Sequence, residues 1–148
     1  MKVGPTRAGV FSAMEVAASG LSAERSRMNI VAGNLANART TRTAEGGPYK
    51  RLDPVFAAKP VSEGSFDPVL RKVETVELSE VRPDQTPGAL VYEPGHPDAN
   101  ADGYVEYPNV NVVTEMVNMM TASRAYEAGV TSIESLKAMA RAALRIGK

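Results

Sequence analysis

The 148-residue chain has no cysteine and no tryptophan. The first absence excludes disulfides, thiol nucleophiles and thiolate-bound metals. Aromatic residues are scarce, three Phe and five Tyr, so Met, Ala, Val and Leu must supply most of the packing. His96 is the single histidine, held between Gly95 and Pro97 in a loop, a setting that suits a solvent-facing spectator better than a general base. No phosphate-cradling glycine loop is present. In "SRAYE", Ser123, Tyr126 and Glu127 fall on one helix where packing accounts for the tyrosine. Neither an enzyme nor a bound cofactor or metal is expected, and no small-molecule substrate. No apolar run is long enough to span a membrane. The first twenty residues are interrupted by Gly4, Pro5, Arg7 and Glu15 and lack the apolar stretch of a cleavable signal peptide.

Charge of either sign is balanced overall but not locally. Residues 1–60 carry +5, residues 61–110 carry −7 and residues 111–148 carry +2. A basic first segment and an acidic middle can lie against one another, within one chain or between copies, although two solvated faces are the simpler account. The basic residues neither cluster nor interleave with aromatics, so nucleic acid is not an expected partner.

What is present in abundance is helical periodicity at both ends. From Ser12 onward the sequence predicts a helix, with Ser12 as cap and Glu15 reaching back to it. Met14, Leu21, Met28 and Leu35 fall seven apart, with Phe11, Ala18 and Ala32 at the intervening positions and Arg25 as the one break. Asn34 or Asn37 is expected to end this helix in a left-handed conformation. At the other end, Pro108 stops what precedes, Asn111 caps, and Gly147 ends a second helix. Met116, Met119, Ser123, Tyr126, Val130 and Ile133 alternate three and four apart along it. Residues 12–37 and 112–146 would measure about 39 Å and about 52 Å at 1.5 Å per residue.

Between the helices, "GGPYKRLDPVFAAKPV" and "VLRKVETVELSEVRP" read as strands broken by proline, and "ALVYEPG" with "GYVEYP" reads as a hairpin. The stretch "HPDANADGYVEYPN" places Asp98, Asn100, Asp102 and Gly103 at the spacing of the first half of a calcium loop. The position that should hold a bidentate glutamate is Asn109, and strand-like residues replace the two flanking helices. A Pro/Gly/Asp/Asn turn is the expectation, with a calcium-responsive module centred on Asp98–Asp102 as the alternative.

The fold class expected is α+β: long N- and C-terminal helices paired as a coiled-coil-like hairpin, with a small central β-rich region. The segments are 1–38, 39–110 and 111–148. The second helix also carries Val112, Val113, Val117 and Met120, an apolar arc wider than a two-helix seam requires. The middle segment is too small to cover both helices, so copies of the same or related chains are the simplest cover.

The stretch "SGLSAERSRMNIVAGNLANARTTRT" resembles the N-terminal signature of the bacterial flagellar rod, hook and axial proteins. "GGPYKR" and "HPDANADGYVEYPNVNVVTEMVNMMTASRAYEAGVTSIES" resemble the proximal-rod branch of that family. Leu21, Met28, Asn34, Leu35, Asn37 and Thr41 match the first signature, and Pro108, Asn109, Val110, Met116, Ala125, Tyr126 and Ala128 match the second. The resemblance implies a structural subunit of the flagellum basal body, a self-assembling part of a tubular, torque-transmitting shaft around the export channel. It implies export from the cytoplasm through a type III channel and assembly in the periplasm, without membrane insertion. Expected neighbours are FlgB-, FlgF- and FlgG-like rod proteins, the export-gate adaptor FliE, and copies of the chain itself. Met14, Leu21, Met28, Asn34, Leu35, Asn37, Met116, Met119, Tyr126, Val130 and Ile133 are the expected assembly interface. The asparagines would saturate helix-end groups or bridge subunits, and the helices would be largely disordered until assembly.

Overall fold

The computed structural model describes residues 5–61 and 73–146. The elements, in order, are α1 (Pro5–Ala36), β1 (Leu52–Pro60), β2 (Glu74–Pro83), β3 (Leu90–Tyr92), β4 (Tyr104–Glu106) and α2 (Val112–Ile146). The fold is α+β, with two long helices flanking two small antiparallel sheets, β1–β2 and β3–β4. The two predicted strands, the hairpin and the bounds of the second helix all appear where the sequence places them. Gly147 lies outside the described residues.

Both ends of α1 depart from expectation. The helix begins at Pro5, whose fixed φ and missing N–H suit a first turn. Ser12 therefore sits two turns inside it and is buried, not capping. No non-glycine residue has a positive φ among the described residues, so no left-handed asparagine ends the helix. Instead the Asn37 side-chain amide donates to the Gly33 carbonyl at 2.9 Å and its oxygen accepts from the Thr40 hydroxyl. That satisfies one of the orphan carbonyls of the last turn.

The inward face of α1 is not the large-residue stripe. Ser12, Ala23 and Asn34 are buried and recur every eleven residues, three turns of an unsupercoiled helix, with Val31 beside them. Met14, Leu21, Met28 and Leu35 lie half-buried along the rim of that face. Phe11, Ala18, Arg25 and Ala32 are exposed. In α2 the inward rows are Glu115, Ala122, Gly129 and Leu136, and Met119, Tyr126, Ile133 and Ala140, each seven apart. Of the six residues in the predicted row, Met119, Ser123, Tyr126 and Ile133 are half-buried, whereas Met116 and Val130 are 54% and 36% exposed.

The chain divides into two compact units. One comprises the chain up to Ser26, Phe56–Ser79 and the chain from Ala122; the other comprises Arg27–Val55 and Glu80–Thr121. In the first, Leu21 seats over Gly129, where a Cβ would come within 2.7 Å of the leucine Cδ2. The missing side chain is what lets the helices meet there. Ser19 donates to the Val16 carbonyl and accepts from the Val76 N–H at 3.1 Å, tying α1 to β2.

In the second unit, β3 and β4 pair Leu90 with Glu106, Val91 with Val105, and Tyr92 with Tyr104. Tyr92 and Tyr104 meet edge to face at 5.2 Å, and Val105 is buried beneath. Gly103 closes the loop at φ 81°, a conformation that glycine adopts without strain. Just before β3, Gly88 passes so close to the Tyr107 carbonyl that a Cβ would lie 1.7 Å from the oxygen. Because that obstacle is backbone, no rotamer change relieves it. Gly88→Ala is expected to cost at least the roughly 1–3 kcal/mol of ordinary overpacking, read as a fall in the thermal midpoint.

Among the described residues the buried apolar side chains are Ala23, Val31, Val105, Pro108 and Ala122. Hydrophobic burial is the main favourable term in folding, and here one chain supplies little of it.

Candidate functional site

The best-ordered chemistry in the second unit is a polar knot where the end of α1, the start of β1 and the start of α2 meet. Asn34 is fully buried at its centre. Its amide nitrogen donates to the Leu52 carbonyl at 2.9 Å and to Glu115 Oε2 at 3.0 Å. Its oxygen accepts from the Leu52 N–H at 2.9 Å and from the Tyr49 hydroxyl at 3.0 Å. Both donors and both acceptor sites are filled, the most one asparagine can make. The paired bonds to Leu52 are those a neighbouring strand's peptide group would make, so Asn34 stands in for a strand at the edge of β1.

Glu115 is the second buried member, its side chain 1% exposed. Oε1 accepts from Arg51 Nε at 2.9 Å and from the Asn118 amide at 3.2 Å, and Oε2 accepts from Asn34. Every partner is a donor, the environment an ionised carboxylate needs when it is taken out of water. Arg51 also pairs with Asp53. Burial alone would lower the Arg51 pKa, but the hydrogen bonds and charges of Glu115 and Asp53 outweigh it and hold it above the ordinary guanidinium value. Burial first, and the charge of Glu115 second, raise the Tyr49 phenol above its ordinary 10.0, so Tyr49 stays a neutral donor to Asn34.

Backbone groups close the knot. The Arg51 N–H donates to Asn109 Oδ1 at 2.8 Å, and the Asn109 amide reaches the Asp84 carbonyl at 3.3 Å. Asn111 caps α2 as expected, accepting the Thr114 N–H at 3.1 Å. Tyr49 and Arg51 lie in the "GGPYKR" stretch and Glu115 in "NVVTEM", but their joint role was not read from the sequence. The usable signal was Glu115 itself, a charge that heads the seven-residue row of Ala122, Gly129 and Leu136.

The predicted interface residues separate into two groups. Asn34 is enclosed by its own chain, and the Asn37 side chain completes the helix end. Met14, Leu21, Met28, Leu35, Met119, Tyr126 and Ile133 are half-buried, and Met116 and Val130 face outward. Val113, Met116, Val117 and Met120 are 71%, 54%, 56% and 56% exposed, at the i, i+3, i+4, i+7 spacing of one helix face. At about 100° per residue that face lies nearly opposite the inward row headed by Glu115.

Two of the three side chains singled out for calcium, Asp98 and Asn100, are already engaged. Asp98 accepts from the Thr41 hydroxyl at 2.8 Å and lies 3.5 Å from Arg42. Asn100 Oδ1 accepts from the Asp102 and Tyr104 N–H groups at 3.0 and 2.9 Å. His96 is half-buried, not a spectator, and its Nδ1 accepts from the Asp98 N–H. These bonds describe a turn that folds on its own side chains.

Two family models match the chain. One, described as flagella basal body rod protein, covers residues 14–42, and the other, described as flagellar basal body rod FlgEFG protein C-terminal, covers residues 101–146. The helices and the knot thus belong to a structural subunit of the flagellar rod class. The chain is 44% identical over 148 residues to flagellar basal-body rod protein FlgC of Borreliella burgdorferi, covering 93% of this chain and 97% of that one. It is 39% identical to the FlgC proteins of Escherichia coli and Bacillus subtilis, with 94% and 93% of this chain and 98% of each relative covered. The chain belongs to the flagellar basal-body rod protein FlgC family.

Proposed function

We propose that the chain forms part of the proximal rod, a mechanical and non-catalytic role in which α1 and α2 line a tube and neighbouring subunits complete their burial. The supporting observation is the outward stripe of Val113, Met116, Val117 and Met120, set opposite the inward face of α2 in a chain with so little core. Residues 1–38 and 111–148 are the wall segments in this reading, and 39–110 the outer part. Met14, Leu21, Met28, Leu35, Met116, Met119, Tyr126, Val130 and Ile133 contribute to packing within and between subunits. Torque then passes through many small contacts, whose stiffness comes from cumulative burial. FlgB-, FlgF- and FlgG-like rod proteins, the adaptor FliE and further copies are the proposed neighbours, reached in the periplasm after export.

In the free subunit the knot holds the ends of α1 and α2 nearest to it, while the remainder of both helices orders on assembly. Circular dichroism of the purified chain is therefore expected to report less helix than both full-length helices require. The interface itself is tested with Met116→Asp and Val117→Asp. Both sites are exposed, so each change is expected to move stability by no more than about 0.5 kcal/mol. Each is nonetheless expected to abolish incorporation into basal bodies, since assembly would bury an unpaired charge. Motility at the parental level, with normal protein abundance, would contradict the reading.

A further inference from the structure

We propose that the β1–β2 ribbon is closed against strand addition, by side chains of α1 that replace a neighbouring strand and by prolines that delete donors from the outer edge. The pairing sets which groups face outward. At one end of the ribbon the Arg51 carbonyl accepts from the Asp84 N–H, and at the other the Val61 N–H reaches the Val73 carbonyl. Odd-numbered residues of β1 thus turn their backbone groups toward β2, and residues 52, 54, 56, 58 and 60 turn theirs away.

Along that outer side Leu52 is saturated by Asn34, and Pro54 and Pro60 have no N–H to offer. Only Phe56 and Ala58 retain outward N–H groups. On β2 the Val73 contact turns Glu74, Val76 and Leu78 outward at that end; the inward-facing Asp84 N–H at the other end shows that the alternation shifts by one residue along β2. The Val76 N–H is taken by Ser19 of α1, and Glu74, the next residue on that side, is charged. Charged side chains, missing donors and covering helices are the means by which an edge is kept from templating another strand.

The device has a reason independent of the rod assignment. A chain with an exposed apolar helix face associates through that face, and an open two-stranded ribbon offers a competing route to cross-β aggregates. The prolines act whether or not α1 is folded, and Ser19 and Asn34 act once it is.

The test uses the full-length chain carrying Pro54→Val and Pro60→Val, compared with Pro87→Ala, which lies between strands. The double variant is expected to match the parent by circular dichroism at low concentration. As concentration rises it should acquire thioflavin binding and an intermolecular β band in the infrared, while Pro87→Ala stays like the parent. A double variant as soluble as the parent overturns the proposal. So does precipitation without those β signatures, or aggregation that follows loss of the native dichroism at low concentration, since either arises from unfolding and not from strand addition.

Discussion

Replacing Arg51 with methionine is expected to destabilise the folded subunit by about 3–5 kcal/mol. The change leaves Glu115, whose side chain is 1% exposed, facing only the neutral amides of Asn34 and Asn118. Coulomb attraction from the guanidinium offsets the desolvation of that carboxylate, so deleting one partner exposes the whole penalty. Arg51→Lys should fall between: it keeps the charge but not the planar fork that reaches Glu115 through Nε and Asp53 through a terminal nitrogen. Removing both charges, as in Arg51→Met with Glu115→Leu, is expected to cost less than Arg51→Met alone, because a buried pair can be exchanged for apolar packing at small net cost. Denaturant unfolding of the parent, of Arg51→Met and Glu115→Leu singly, and of the double variant measures this coupling. Single losses that simply add in the double variant would show that the pair does not act as a unit.

Asn34→Asp is expected to be as damaging, although it alters no volume. One donor atom becomes an acceptor, so an oxygen faces the Leu52 carbonyl and the Glu115 carboxylate where hydrogen bonds of 2.9 and 3.0 Å now stand. The new charge repels Glu115 at close range. Asn34→Leu avoids the repulsion but strips partners from the Leu52 N–H and carbonyl, from Tyr49 and from Glu115. Each buried group so orphaned costs about 1–3 kcal/mol, against a total of about 5–15 kcal/mol for a typical domain. The two variants separate in their pH response. Acidification protonates the introduced carboxyl group and restores a donor, so the aspartate variant should recover part of its thermal midpoint relative to the leucine variant. Equal midpoints for both variants across that range would argue against the donor pattern assigned to Asn34.

The large architecture was legible because its signals are local. Pro108, the Asn111 cap and a long apolar period bound α2 correctly, and the turn residues from Gly95 to Gly103 marked the hairpin. The start of α1 was misjudged because Ser12 and Glu15 imitate a capping pair, whereas Pro5 at the true start gives the same permission through its fixed φ. The inward face of α2 was hidden for a different reason. Met116 and Val130 are more apolar than Glu115 and Gly129, so residue type alone turns the wrong side inward. Glu115 is buried only because Arg51 lies 64 positions away in sequence but 2.9 Å away in space, and Gly129 only because Leu21 fills the gap it leaves. Such pairings belong to tertiary structure, and periodicity within one helix cannot reveal them.

The central claim is that the outward face of α2 is left bare by its own chain and covered by neighbours in the rod. With no native cysteine in the sequence, Met116→Cys provides a single reporter. Its labelling by a maleimide is to be compared in the purified subunit and in isolated basal bodies. The expected result is rapid modification of the free subunit and strong protection in the rod; equal labelling in both would contradict the account.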